Sequence, residues 1–175
     1  IMANTSFSGP VRSQNGFETI SVNSSTGAVT VGPAFSSSGV VAAPVSLADA
    51  NASLTAAVNA GRINIVPNGT QDNTYTLPTP VAGLMFTFVY GGGAADATDF
   101  IINTGSNTNY FIGGVAFNDT DDGAACVVIS DEDSHSKLQV NVPAAAQINV
   151  LALNGTNWQV WGSVTGATAP AFADQ

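Results

Sequence analysis

Apolar and polar residues alternate in short runs along most of this chain, and Gly, Asn, Asp or Pro punctuate the runs. Residues 17–22 (Phe-Glu-Thr-Ile-Ser-Val) alternate as a half-buried strand does. A turn at 23–27 follows, and 28–31 alternate again, which predicts a hairpin. Beyond Gly61 the pattern predicts strands over 63–66, 74–77, 84–90, 99–103, 110–117, 124–130, 137–142, 147–153 and 157–164. The most apolar is 84–90 (Leu-Met-Phe-Thr-Phe-Val-Tyr), followed by Gly91-Gly92-Gly93. Strands recurring at intervals of about 10–15 residues with turn signals between them indicate a β-sandwich or barrel.

One helix fits the pattern. Ser46 stands as a cap with Asp49 three residues on, in capping-box spacing. Leu47, Ala50, Leu54, Ala57 and Val58 fall near one face, and Gly61 occupies the C-terminal glycine position. Internal Asn and Ser weaken this helix, so it is expected to shrink to one or two turns near 55–60. Residues 1–16 are polar and turn-rich without periodicity and read as an extended arm. The expected organisation is an arm and hairpin over 1–45, a β-domain over 46–166 and a tail over 167–175. The fold class is all-β: an antiparallel sandwich or barrel, jelly-roll-like, with at most one short helix.

Charge changes this picture. Only 9% of the 175 residues are Asp, Glu, Lys or Arg, against about 25% in ordinary domains. The net charge is −9, and Arg12, Arg62 and Lys137 are the only basic residues. Neutralising phosphates takes several Lys or Arg, so nucleic acid is excluded as a partner. No apolar stretch reaches the ~18 residues of a membrane span, and no basic segment precedes an apolar one, so neither membrane insertion nor a secretory leader is expected. A surface so poor in ions is solvated by Ser, Thr, Asn and Gln or covered by partners. That favours an oligomer.

The residues that could carry chemistry have plainer readings. Cys126 lies in the apolar run 124–129 and reads as a small buried residue. Asp119-Thr120-Asp121-Asp122-Gly123 resembles the start of a calcium loop, but Gly falls at position five and Ser130 at twelve. An EF-hand needs Gly at six and Glu at twelve, so a polar turn is the better reading. Asp131-Glu132-Asp133 is a second acidic turn. His135 lies between Ser134 and Ser136, yet adjacency in sequence does not make a catalytic triad. Gly91-Gly92-Gly93 lacks the ending of a phosphate loop and reads as a turn or a crowded backbone contact. Trp158 and Trp161, three apart on a strand, point to opposite faces, so one packs in the core while the other faces a partner or a sugar.

Several stretches carry a resemblance. Residues 74–89 (TYTLPTPVAGLMFTFV), 111–115 (FIGGV), 153–160 (LNGTNWQV) and 54–61 (LTAAVNAG) resemble small virion structural proteins of marine tailed bacteriophages. Within that group the size is similar to that of capsid decoration, or cement, proteins. The resemblance covers roughly residues 50–165 and includes no catalytic signature. It implies a non-enzymatic protein on the capsid exterior of a virion, made in the host cytoplasm. Its partners would be the major capsid protein and further copies of itself, as a trimer. It implies no cofactor, no metal and no catalytic residue. The partner contacts expected on this reading are Phe7, Val11, Arg12, Phe17 and Trp161. The alternative is a tail-fibre or receptor-binding domain that recognises a glycan through Trp158 or Trp161.

Overall fold

The computed structural model describes residues 17–35, 43–90 and 97–175. The chain separates into two compact units, Ile1–Ala42 and Ala43–Gln175.

In the first unit, strands β1 (Phe17–Val22) and β2 (Val29–Phe35) form an antiparallel ribbon. Asn23 builds the turn between them: its side-chain oxygen accepts from the N–H groups of Ser25 and Thr26 at 2.9 and 3.1 Å. Gly27 supplies the positive φ of 69° that closes the turn.

The second unit is an all-β sandwich. Its elements are β3 (Val45–Ser46), β4 (Ala52–Ser53), helix α1 (Ala56–Asn59), β5 (Ile63–Val66), β6 (Asn73–Thr76), β7 (Met85–Tyr90) and β8 (Phe100–Asn103). They continue with β9 (Tyr110–Asp119), β10 (Ala125–Ile129), β11 (Lys137–Val140), β12 (Pro143–Ala152), β13 (Asn157–Gly166) and β14 (Ala171–Ala173). One sheet has the order β10-β9-β13-β12-β7-β5-β3, and the other β14-β11-β8-β6-β4.

The sheets are mixed, which corrects the purely antiparallel expectation. From β3 to β8 the chain alternates between the two sheets, so neighbours within a sheet are two strands apart in sequence. Each crossing to the opposite sheet and back brings the next strand in with the same direction. Hence β3, β5 and β7 run parallel in one sheet, and β4, β6 and β8 run parallel in the other. The β9–β13 pair is parallel as well. The later β12–β13 hairpin and the β9–β10 hairpin are antiparallel.

Period-two burial packs the two sheets together. Phe86 and Phe88 of β7, Phe111 and Val115 of β9, and Trp158 and Val160 of β13 are fully buried from one side. Tyr75 of β6, Ile102 of β8, and Leu138 and Val140 of β11 meet them from the other. Burying each of the core Phe side chains stabilises the fold by roughly 1.5–3 kcal/mol. Two ring contacts bridge the sheets: Tyr90 stacks on Phe100 at 6.4 Å, and Phe111 meets Phe172 edge-on at 6.0 Å.

The helix begins at Thr55 rather than Ser46. The Thr55 hydroxyl accepts from the Val58 N–H, and the Asn59 side chain accepts from the Thr55 N–H. Asn59 also donates to Asn64 at 2.8 Å, which ties α1 to β5. Ser46 lies in β3, and Asp49 latches a loop instead of capping a helix. Its carboxylate accepts from the Thr70 N–H and hydroxyl and from the Asn73 amide. Ser, Asp and Asn over 46–53 bond to other backbone more readily than they sustain a helix. Residues 167–175 are not a free tail either, because β14 pairs with β11 and Phe172 enters the core edge.

Candidate functional site: the outer face of the seven-stranded sheet

The outward positions of the large sheet follow from its registers. One row crosses the strands as Trp161, Asn149, Thr87 and Ile63. The next runs Val127, Ala116, Ser163, Gln147, Val89 and Ile65. A third holds Ala125, Asn118, Thr165 and Ala145, and a fourth Ile112, Gln159, Leu151 and Met85. No Asp, Glu, Lys or Arg stands in these rows. Seven strands at ~4.8 Å spacing make this face roughly 30 Å wide.

Large apolar side chains remain in solvent here. Ile129 is 68% exposed, Val127 67%, Ile63 47% and Trp161 38%, and Met85 is also exposed. Between β12 and β13 lies an open depression of about 230 Å³ lined by Val89, Ala145, Gln147, Ser163 and Thr165. Gly162, beside it, allows the strands to meet: a Cβ there would collide with the Gln147 carbonyl.

Trp158 and Trp161 separate as their spacing requires. Trp158 is fully buried against Phe86, ring centroids 5.8 Å apart, and its indole N–H has no hydrogen-bond partner. Trp161 faces outward beside Asn149. Of the other expected contact residues, Phe7, Val11 and Arg12 lie outside the described residues, as does Gly91-Gly92-Gly93. Phe17 opens β1 opposite Phe35.

Cys126 corrects its expectation: it is exposed, because β10 is an edge strand and, among the described residues, no further strand pairs with it. The run 124–129 looks like a core strand in composition. The signal that distinguishes it is the pair of acidic turns flanking it, since charges bracketing an apolar strand are how proteins guard an exposed one.

Those turns are held by their own carboxylates. The Asp119 carboxylate accepts from the Asp121 N–H, and that of Asp122 accepts from the Ala124 N–H, both at 2.8 Å. Asp131 accepts from the N–H groups of Asp133, Ser134 and His135 and from the Ser134 hydroxyl. The His135 and Ser134 N–H bonds hold its carboxyl well below the usual carboxylate range. His135 accepts at Nδ1 from the Asp131 N–H at 3.0 Å and stacks on Phe172. With Nδ1 an acceptor, its 3.5 Å approach to the Asp131 carboxylate is not an ion pair. Among the described residues no three of His, Cys, Asp and Glu gather in a metal-binding arrangement.

No known family model matches the sequence, and it has no match among curated proteins or solved structures. Among the described residues no helix is long and apolar enough to cross a membrane.

Two further recesses among the described residues offer little room or enclosure. The one between Asn73, Tyr90, Asp99 and Phe100 has about 10 Å³, space for a single water. The groove by Asn51, Ser53, Thr74 and Thr76 is larger, about 330 Å³, but shallow and polar.

Proposed function

We propose that this chain is a non-enzymatic structural protein of a virion, a decoration protein that binds and stabilises the capsid exterior. The observation that carries this reading is the charge-free outer face of the seven-stranded sheet, where exposed Trp161, Val127, Ile129, Ile63 and Met85 stand among short polar side chains. Such a face is desolvated at low cost, because no ion has to lose its water. Patches of several hundred Å² of this character mark interaction sites. On a lattice, many modest contacts of this kind sum to high avidity. The sequence resemblance to virion proteins supplies the kind of partner, the major capsid protein, and the expected trimeric state. His135 supports the structural reading: its ring orders a turn and packs on Phe172, and its replacement by Ala is expected to leave decoration intact.

The test uses particles lacking the protein. Trp161→Glu stays cooperatively folded, with a modestly lower melting temperature, but decorates about 100-fold more weakly, the scale of a central hot-spot residue. Decoration at parental strength removes this face from the reading. Light scattering gives about three chain masses if the trimer is correct.

A second reading is a glycan-recognition domain. Trp161 presents an exposed indole beside the carboxamides of Asn149 and Gln147, the pairing of stacking surface and hydrogen-bonding groups that sugars use. Fluorescence titration of the parent and Trp161→Phe with neutral oligosaccharides distinguishes it from the first.

A further inference from the structure

The edges of the two sheets are not alike. Natural proteins guard exposed edges by keeping them short, charged, bulged or interrupted by Pro. Three edges here are short: β3 and β4 have two residues each, and β14 has three. The fourth, β10, has five, Ala-Cys-Val-Val-Ile, with no charge and no Pro, and pairs with β9 in unbroken register.

The hydrogen bonds show which way its backbone points. Asp119 N–H donates to the Ala124 carbonyl, and Ser130 N–H donates to the Gly113 carbonyl, so the even-numbered residues face β9. By antiparallel alternation, Ala125, Val127 and Ile129 turn their N–H and C=O groups away from the sheet. Their side chains lie on the charge-free outer face, where Val127 and Ile129 are about two-thirds exposed. Both ends of the strand are fixed, the first by the Asp119 N–H bond to the Ala124 carbonyl at 2.8 Å. The buried Ser130 hydroxyl donates to the Phe111 carbonyl at 2.7 Å. Gly114 lets β10 lie close, since a Cβ there would strike the Val128 carbonyl. A rigid edge loses little freedom on pairing.

Charge selects the occupant. Asp119, Asp121 and Asp122 precede the strand, and Asp131, Glu132 and Asp133 follow it. A second copy added to this edge, parallel or antiparallel, would set an acidic turn against an acidic turn. A segment with cations at its ends meets them favourably instead. We infer that β10 is a docking edge for an extended apolar segment of a partner protein that carries Lys or Arg at both ends. The inference stands whether or not that partner belongs to a capsid.

The probe is a short peptide alternating Val and Thr with lysines at both ends, and its counterpart with glutamates there, titrated against the full chain. The lysine-ended peptide is expected to protect the amides of Ala125, Val127 and Ile129 from hydrogen exchange. It should bind at least ~10-fold more tightly than the glutamate-ended one at low salt, with the gap narrowing as salt rises. Val127→Pro removes an outward donor without breaking a bond to β9, so it abolishes binding while the chain still melts cooperatively. Should Val127→Pro fail to fold, Ile129→Lys serves: it weakens the lysine-ended peptide and strengthens the other. Equal binding of the two peptides, or no binding of either, overturns the inference. So does a parent whose assembly mass falls on Val127→Pro or Ile129→Lys, because the occupant is then a second copy.

Discussion

The two sheets bury similar inner faces and present opposite outer ones. Outward from the five-stranded sheet stand Lys137, Gln139, Asn103, Thr74, Thr76 and Ser53, with Ile101 half-buried among them. That face is solvated by short polar side chains and one cation. The seven-stranded sheet presents Trp161, Ile63, Met85, Val127 and Ile129 and no charge. Acidic turns stand at its rim, on either side of β10. One composition, poor in ions throughout, has thus been sorted into a face that keeps its water and a face that gives it up readily. Both faces obey the same period of two, so the difference lies in which residue types occupy the outward positions.

The sharpest way to separate inside from outside is within β13. Trp158→Ala empties a fully buried site against Phe86 and is expected to destabilise the chain by about 3–5 kcal/mol in chemical denaturation. Trp161→Ala, three residues on, should cost distinctly less, about 1 kcal/mol, because the outward indole is already 38% exposed and loses only contacts along its own face. Trp158→Phe should cost distinctly less than Trp158→Ala, since it keeps a ring and removes a buried N–H that has no partner. If Trp161→Ala destabilised as much as Trp158→Ala, the outer face would be an internal surface and the comparison would fail.

Much of this was legible in the chain. The strands from 63 to 164 appear in the structure within a few residues of their expected ends, because period-two burial writes itself directly into sequence. The offset of three between the tryptophans showed that they part, though which one enters the core depends on Phe86, which the spacing does not contain. The parallel pairing was not legible. It arises because β3 to β8 alternate between sheets, and nothing local to a strand records which strand arrives beside it. Residues 124–129 misled for a related reason: Ala-Cys-Val-Val-Ile has the same apolar content as a central strand, and only its position at the sheet edge exposes Cys126. The expectation for Ser46 and Asp49 failed because a capping-box spacing also suits a carboxylate that bonds a distant loop.

The polar sheet is probed through Tyr75. It is fully buried, its hydroxyl donates to the Ala48 carbonyl at 3.0 Å, and burial, helped by the charge of Asp49, pushes its pKa up to about 12. The folded chain therefore holds this proton where the unfolded chain, ionising near 10.0, has released it. The associated stability is complete below pH 10 and is lost as pH rises through 12, on the order of 2 kcal/mol in all. Denaturation midpoints measured from pH 8 to pH 11.5 should fall for the parent and flatten for Tyr75→Phe. A parallel fall in both would assign the alkaline loss to other groups.

The smallest effect belongs to the rim, where Asp131 orders the turn that ends the β10 edge. Its carboxylate gathers the N–H groups of His135, Ser134 and Asp133, which favour the ionised form and lower its pKa from the ordinary 3.8. For a depressed carboxyl, the unfolded chain binds the proton first as pH falls. The contribution is thus present above about pH 4 and drains away below it. Because the group sits in solvent, the total is small and screened by salt. Asp131→Asn keeps one acceptor oxygen and removes the charge, so it should lower the melting temperature slightly at pH 6 and by less at pH 3. An undiminished gap at pH 3 would mean that the shape of the turn, and not its charge, holds the end of β10. The acidic rim would then act on a partner without contributing to the fold.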